Sequence, residues 1–421
     1  MSIRLHRAGE MPLGRRAPLV DPLSERSTAG SVLAPTLTLT LTPTLTPMGV
    51  NVPGLDVTTI SSRLGRLRAA AEAADVGAVV VTTGSDLRYL IGVGGTSFER
   101  LTALVVPSAS DTPIVFVSPA LEFAGLEQVP FAEIGIEVRT WVDGEDPYRL
   151  SLAGLPLERV AVSDMTPAMH LLALRDSGAT EPVLAGPIIR ELRMRKDAVE
   201  LDQLRRAGQA IDRVHERVTE MLRPSRTEAE LAVDIARAIV EEGHELAEFV
   251  IVGSGPNGAS PHHSVSDRVI QPGDVVVVDI GGPLASGYNS DSTRTYAIGE
   301  PSSEIKLTYA ALKAAQQAAF DAVMPGVTCE AVDAAARSVL EQAGLADYFI
   351  HRTGHGIGLD VHEEPYIVSG NDLPLEEGMT FSIEPGVYLP GRWGARIEDI
   401  VAVTAGGVES FNLRPHDLVV V

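Results

Sequence analysis

Four acids set in apolar β-segments constrain this chain more than any other feature. GDVVVVDIGG is a near-continuous apolar strand carrying Asp279, whose carboxylate would be desolvated unless paired or bound to a metal. Twelve residues on, Asp291 sits in GYNSDSTRTYAIG, a second strand reached through a Gly/Pro-rich turn. An antiparallel pair would bring these two carboxylates together. MTFSIEPGVYL places Glu384 in a third apolar strand, and ARIEDIVAV places Glu398 in a fourth. Strand alternation puts Arg396 on the face of Glu398 and turns Asp399 away. One buried acid has a plain structural explanation, such as a salt bridge or a cap. Four in four β-segments do not, because like charges sharing a site raise one another's pKa unless cations neutralise them.

Histidine adds to the pattern. Five of the ten histidines fall between positions 262 and 362: His262, His263, His351, His355 and His362. Three lie in HRTGHGIGLDVHEEP, a glycine-punctuated segment that cannot hold a stable helix. The glycines beside His355 allow close backbone approach, read here as approach to an ion and a substrate. Each histidine alone is more often structural; their placement beside the acid-bearing strands favours a site. Four carboxylates and one imidazole form a hard, oxygen-rich donor set, which suits Mn²⁺ or a similar ion better than a structural zinc. Two divalent ions would balance four negative ligands, and bridging carboxylates hold such ions about 3.5–4 Å apart. His215 and His244 stand alone at helical or capping positions and read as solvated surface residues.

Competing motifs fail on context. GSGPNG (253–258) fits the dinucleotide pattern and follows a strand, with Asp274 and Asp279 about twenty residues on. That fingerprint needs a helix opening at the loop, and Pro256, ASPHHS and the strand VVVVDI follow instead. There is no HExxH and no GxSxG, and the only cysteine, Cys329, has no histidine near it in sequence. One cysteine also excludes an intrachain disulfide framework and a Cys-based zinc site. With 34 Lys+Arg against 56 Asp+Glu, the net charge of −22 argues against nucleic acid and anionic membrane as partners. No apolar run approaches the roughly 18 residues of a membrane span.

Residues 27–55 carry no charge and read TLTLTLTPTLTP at their centre. Residues 1–55 are therefore expected to be a disordered low-complexity tail, or the product of a start placed too early, with Met48 as the true beginning. Arg15 and Arg16 raise an export signal, but Asp21, Glu25 and Arg26 interrupt the place where its apolar core would begin. From 56 to 187 helices and strands alternate as an α/β domain, with a helix over 120–128 and with Tyr89 and Trp141 as core aromatics. Near 188–196 a charged helix begins and continues past residue 210. Further helices at 228–242, 303–323 and 330–343, with strands between, make a second domain over 188–421. The whole is classed α+β.

PNGASPHH, DIGGPLASGYNSDSTRTY, HRTGHGIGLDVHEEP, SIEPGVYLPG and GARIEDIV together resemble the pita-bread metallopeptidases, in particular the Xaa-Pro dipeptidases (prolidases) and aminopeptidase P. The likeness runs from about residue 56 to the C-terminus, and 56–187 resembles the creatinase-type N-terminal domain. The resemblance implies metal ligands at Asp279, Asp291, His355, Glu384 and Glu398, with Asp291 and Glu398 bridging two metals. It implies that His262 and His362 contact the scissile peptide, and that His351, Tyr388 and Arg396 line the substrate site. Arg396 has a second reading, neutralising Glu398, and His263 is left as a packing residue. The activity implied is hydrolysis of the Xaa-Pro bond of small peptides by a metal-bridging hydroxide, with Glu384 relaying a proton. Mn²⁺ is the expected metal, with Co²⁺ or Zn²⁺ as alternatives, in a cytoplasmic homodimer. Aminopeptidase P activity on longer peptides is the runner-up. A metal-free creatinase-like enzyme or a non-catalytic peptide-binding module comes third, because such relatives lose ligands and this chain keeps all five.

Overall fold

The computed structural model describes residues 55–95, 99–126, 128–155 and 159–421. The expectations for the N-terminal tail, the Met48 start and the export signal lie outside the described residues, which begin at residue 55.

Helix α1 (Val57–Ala73) opens where the Asp56 carboxylate accepts the Thr59 N–H, and it buries Ile60, Leu64, Leu67 and Ala71 along one stripe. It covers a sheet of β1 (Ala78–Thr82), β2 (Ala103–Pro107), β3 (Ile114–Pro119), β4 (Ile136–Trp141), β5 (Val160–Val162) and β6 (Pro182–Leu184). The strand order is β4-β3-β2-β1-β5-β6. The β2–β3 pair is antiparallel. Helix α2 (Ser85–Ile91) follows β1. The helix expected over 120–128 is shorter: α3 (Ala120–Phe123) passes into a 3-10 turn over Ala124–Leu126. Helices α4 (Pro147–Leu152), α5 (Ala168–Asp176) and α6 (Gly186–Arg193) complete the domain. Tyr89 and Trp141 are buried core residues, as expected, each donating its polar hydrogen to a backbone carbonyl.

The charged helix expected past residue 188 is two helices. Ile188, Ile189 and Leu192 of α6 belong to the first core. Helix α7 (Ala198–Met221) starts afresh at Asp197, whose carboxylate caps Val199 and Glu200 while Glu200 caps the Asp197 N–H in return. This capping box is strong enough to break an otherwise continuous helical pattern.

After α8 (Glu228–Glu241), strands β7 (Phe249–Ser254), β8 (Val275–Pro283) and β9 (Asn289–Ala297) lead to helices α9 (Ser303–Ala322) and α10 (Cys329–Gln342). Strands β10 (Gly354–Gly356), β11 (Glu363–Ile367), β12 (Thr380–Ile383), β13 (Gly386–Leu389), β14 (Trp393–Arg396), β15 (Asp399–Thr404), β16 (Gly407–Ser410) and β17 (Val419–Val420) finish the chain. They form two sheets, β17-β9-β8-β7 and β11-β10-β12-β15-β16, with β13-β14 as a separate hairpin. Val276, Val278 and Ile280 of β8 share a core with α7 and α8, while Phe381, Ile383, Val401 and Val403 of the other sheet share one with α9 and α10. Alternation then turns Asp279 away from the α7–α8 side.

Two histidines depart from expectation. His215 and His244 are buried, not solvated. His215 follows the stripe of Ile211, Val214 and Val218 on α7, and its ring nitrogens meet the Tyr296 hydroxyl and the Ser292 carbonyl. His244 meets the Ile239 carbonyl and the Ser290 hydroxyl. Burial lowers His215 to about 3 and His244 to about 4. The unfolded chain takes up these protons near pH 6.5, the folded chain only well below it. Their stabilising contribution is therefore complete above pH 6.5 and falls by about 1.4 kcal/mol per group per pH unit down to the folded pKa. Urea midpoints at pH 7 and pH 5 check this: His244→Gln should show a smaller loss than the parent, and an equal loss would contradict it.

Candidate metal centre

The register of β8 and β9 pairs Asp279 with Thr293 and Gly281 with Asp291, so the two carboxylates are diagonal neighbours on one face. Glu398 reaches them because its N–H donates to the Thr293 carbonyl at 3.1 Å and its carboxylate accepts the Thr293 hydroxyl at 2.7 Å. Glu384 follows β12 directly, held by its N–H to the Thr353 carbonyl at 2.8 Å and by the Ser382 hydroxyl at 3.2 Å. His355 is the middle residue of β10, with Nε2 3.3 Å from Glu384 and 3.5 Å from Asp291. Its Nδ1 faces the Gly356 carbonyl at 3.2 Å, an acceptor only, so the neutral ring keeps its proton there and turns the Nε2 lone pair to the carboxylates.

The glycines beside His355 face neighbouring backbone. A Cβ on Gly354 would overlap the Ser382 carbonyl, and one on Gly356 would overlap the Glu364 backbone. They let β10 press against its neighbouring strands.

The donor atoms of Asp279, Asp291 and Glu398 lie within 4.8 Å of one another, as do those of His355, Glu384 and Glu398, and those of Asp291, His355 and His362. Burial, reinforced by the neighbouring carboxylates, pushes Asp291 and Glu398 well above the usual carboxylate range. Burial likewise raises Glu384 to about 7. Asp279 Oδ1 is buried without a hydrogen-bond partner while Oδ2 takes Arg396 at 2.5 Å. An orphaned buried oxygen amid four crowded carboxylates is what a site for hard cations requires. The donor set fits the metals that the sequence resemblance implies.

The five residues read as ligands thus come together, in a cleft of about 720 Å³ that His262, His351, His362 and Arg396 also line. Burial lowers the His351 and His362 pKa values, His351 to about 4. Tyr388 is buried, its hydroxyl accepting from Arg396 Nη1 at 2.6 Å and meeting His351 Nε2 at 2.9 Å. Arg396 makes its ion pair with Asp279, not with Glu398, because Thr293 stands between: its hydroxyl contacts both Arg396 Nε and Glu398. His263 bonds the buried Glu228 carboxylate at 2.8 Å, outside the cleft. Sequence reasoning missed Thr293, although the alternation from Asp291 points to it. It also missed Phe249, Ile251 and Arg352 in the cleft wall, for which no local signal existed.

Residues 202–405 match metallopeptidase family M24, and residues 63–195 match the creatinase/prolidase N-terminal domain. Over 369 residues the chain is 58% identical to the probable dipeptidase PepE of Mycobacterium tuberculosis, covering 87% of this chain and 98% of that one. The chain belongs to metallopeptidase family M24. It is also 37% identical over 349 residues to an Xaa-Pro dipeptidase of Lactobacillus helveticus, covering 80% of this chain and 92% of that one. The crystal structure of dipeptidase PepE from Mycobacterium ulcerans superposes with a TM-score of 0.82 at 58% identity, covering 87% of this chain and 98% of that chain. This M24 protein is a creatinase-type domain followed by a pita-bread catalytic domain, as the resemblance implies. Among the described residues no helix is long and apolar enough to cross a membrane.

Proposed function

We propose that this M24 metallopeptidase is a dipeptidase cleaving the bond before proline in Xaa-Pro, with Asp279, Asp291, His355, Glu384 and Glu398 holding two divalent ions. The observation that carries this is the convergence of those five side chains, two of whose groupings share Glu398, in one histidine-lined cleft. The dipeptidase and Xaa-Pro dipeptidase named above match over nearly their whole lengths and support the substrate class. An oxygen-rich donor set favours Mn²⁺, with Co²⁺ or Zn²⁺ as substitutes. The lone buried Cys329 suits the cytoplasm, and the family resemblance supports a homodimer.

Bound ions would lower the pKa of water toward neutrality and polarise the peptide carbonyl. The protein's own groups do the rest. The Glu384 carboxylate takes the proton of the attacking water and returns it to the proline nitrogen, which has no N–H and leaves poorly without one. An imidazole N–H of His262 or His362 stabilises charge growing on the carbonyl oxygen. Arg396 pairs with Asp279 and, through Tyr388, holds His351 at the cleft wall.

Release of the N-terminal alanine from Ala-Pro and from Ala-Pro-Ala, each with Mn²⁺ and with EDTA, tests the proposal. Ala-Pro should be split with Mn²⁺, spared in EDTA, and split again once Mn²⁺ is restored. Activity indifferent both to EDTA and to Asp279→Ala would end the metallopeptidase reading. Cleavage of the tripeptide alone would turn the assignment to an aminopeptidase.

A further inference from the structure

His362 is shared by two clefts. One is the metal-ligand cleft; the other, toward the N-terminal domain, is lined by Ser85, Asp86, Arg193, Asp360 and Glu363. His362 sits on the turn between β10 and β11, its ring centroid 3.9 Å from that of His355. Charge from outside the catalytic domain holds this turn. Arg193, the last residue of α6, donates to Asp360 Oδ2 at 2.8 Å and to Glu363 Oε2 at 2.5 Å, the acids two before and one after His362. The same guanidinium donates to Asp86 of α2 at 2.8 Å, and the Ser85 hydroxyl bonds Asp360. Lys196 adds a 2.6 Å bond to the other oxygen of Glu363. The Arg193 and Glu363 side chains are only 11% and 10% exposed, so solvent screens their pairing weakly.

We propose that Arg193 is a positioning residue for peptide hydrolysis. By gripping the acids on both sides of His362 it sets that imidazole over the metal-ligand cleft, which makes the N-terminal domain a participant in turnover. This rests on the reading of His362 as a contact to the scissile peptide. A bidentate guanidinium can span two carboxylates, whereas an ammonium is a single point charge.

The test is a double-mutant cycle on the Mn²⁺-loaded enzyme with Ala-Pro: Arg193→Gln, His362→Ala and the pair, with hydrogen–deuterium exchange over residues 357–363. Arg193→Gln should lower kcat about 10- to 100-fold, the scale of a misplaced catalytic group. KM and Mn²⁺ content should hold while exchange rises in 357–363. In the His362→Ala background the same change should alter kcat by less than about 2-fold, and Arg193→Lys should fall between parent and Arg193→Gln. Equal losses in both backgrounds, or unchanged exchange, would overturn the proposal and leave Arg193 as a strut between domains. Parental kcat in His362→Ala would overturn the reading of His362 and the proposal with it, a result distinct from an impaired His362→Ala with an additive cycle. Should Arg193→Gln not fold, Asp360→Asn, on a carboxylate 44% exposed, carries the same cycle.

Discussion

Glu398→Gln is expected to cut kcat/KM on Ala-Pro by about 10³-fold or more, since metal-derived charge stabilisation is worth several kcal/mol and each 1.36 kcal/mol is a decade. Glu398 is the residue common to the Asp279–Asp291 grouping and to the His355–Glu384 grouping, so its loss weakens both halves of the centre. The substitution isolates charge from shape. Glutamine keeps the volume and can still accept the Thr293 hydroxyl now 2.7 Å from the carboxylate. A second effect has the opposite sign. Without metal, Glu398 is destabilised by burial and by Asp291, Glu384 and Asp279. Removing one of four crowded charges should therefore raise the Tm of the metal-stripped variant above that of the metal-stripped parent. Mn²⁺ should then raise the variant's Tm less, because binding stabilises only in proportion to affinity. A variant with parental activity and a parental Mn²⁺-induced Tm shift would remove Glu398 from the centre.

Arg294→Met is expected to destabilise the catalytic domain by about 3–5 kcal/mol, the cost of leaving a buried charge without its partner. Arg294 lies on the β9 face opposite Asp291 and Thr293. Its Nη2 donates to Asp399 at 2.7 Å and to the Arg414 carbonyl at 2.9 Å, while Nη1 donates to the Glu398 carbonyl at 2.8 Å. Both side chains of the ion pair are 3% exposed. Burial opposes a charge on Asp399, but Arg294 and His416 outweigh it and hold that carboxyl below its ordinary range. Pairing Arg294→Met with Asp399→Leu should recover part of the loss, because neither member of the buried pair is left charged, while His416 loses its carboxylate and the Glu398 and Arg414 carbonyls lose a donor. Denaturant unfolding of both singles and the double decides the matter. Near-neutral singles, or a double as unstable as the sum, would show that the pair does not work this way.

Much of the centre was legible because strand alternation is local. VVVVDI marks a carboxylate in an apolar strand, and β8 sets it on the face opposite Val276, Val278 and Ile280. The single strand read in ARIEDIVAV is instead two, β14 ending at Arg396 and β15 opening at Asp399, with Glu398 between them on an isolated bridge to Thr293. The helix break was missed: the Asp197–Glu200 capping box stands in the sequence, but the helical pattern on either side masks it. His215 carried the spacing of the buried stripe of α7 and was still read as solvated, because a polar residue on an apolar stripe gives no sign of the Tyr296 and Ser292 partners that make burial tolerable. Those partners are 81 and 77 residues away in the chain.

The sequence by itself determined the fold class, the family resemblance and which acids and histidines to examine, since residue type, spacing and strand period are properties of short segments. Only the tertiary structure decided which groups share a charge. Arg396 is engaged with Asp279 because Thr293 occupies the space toward Glu398. The glycines at 354 and 356 are spent on neighbouring strands. Arg193 faces the acids flanking His362 across 167 and 170 residues of chain. Coulombic and hydrogen-bond energies fall steeply with distance in space, and separation along the chain does not report that distance.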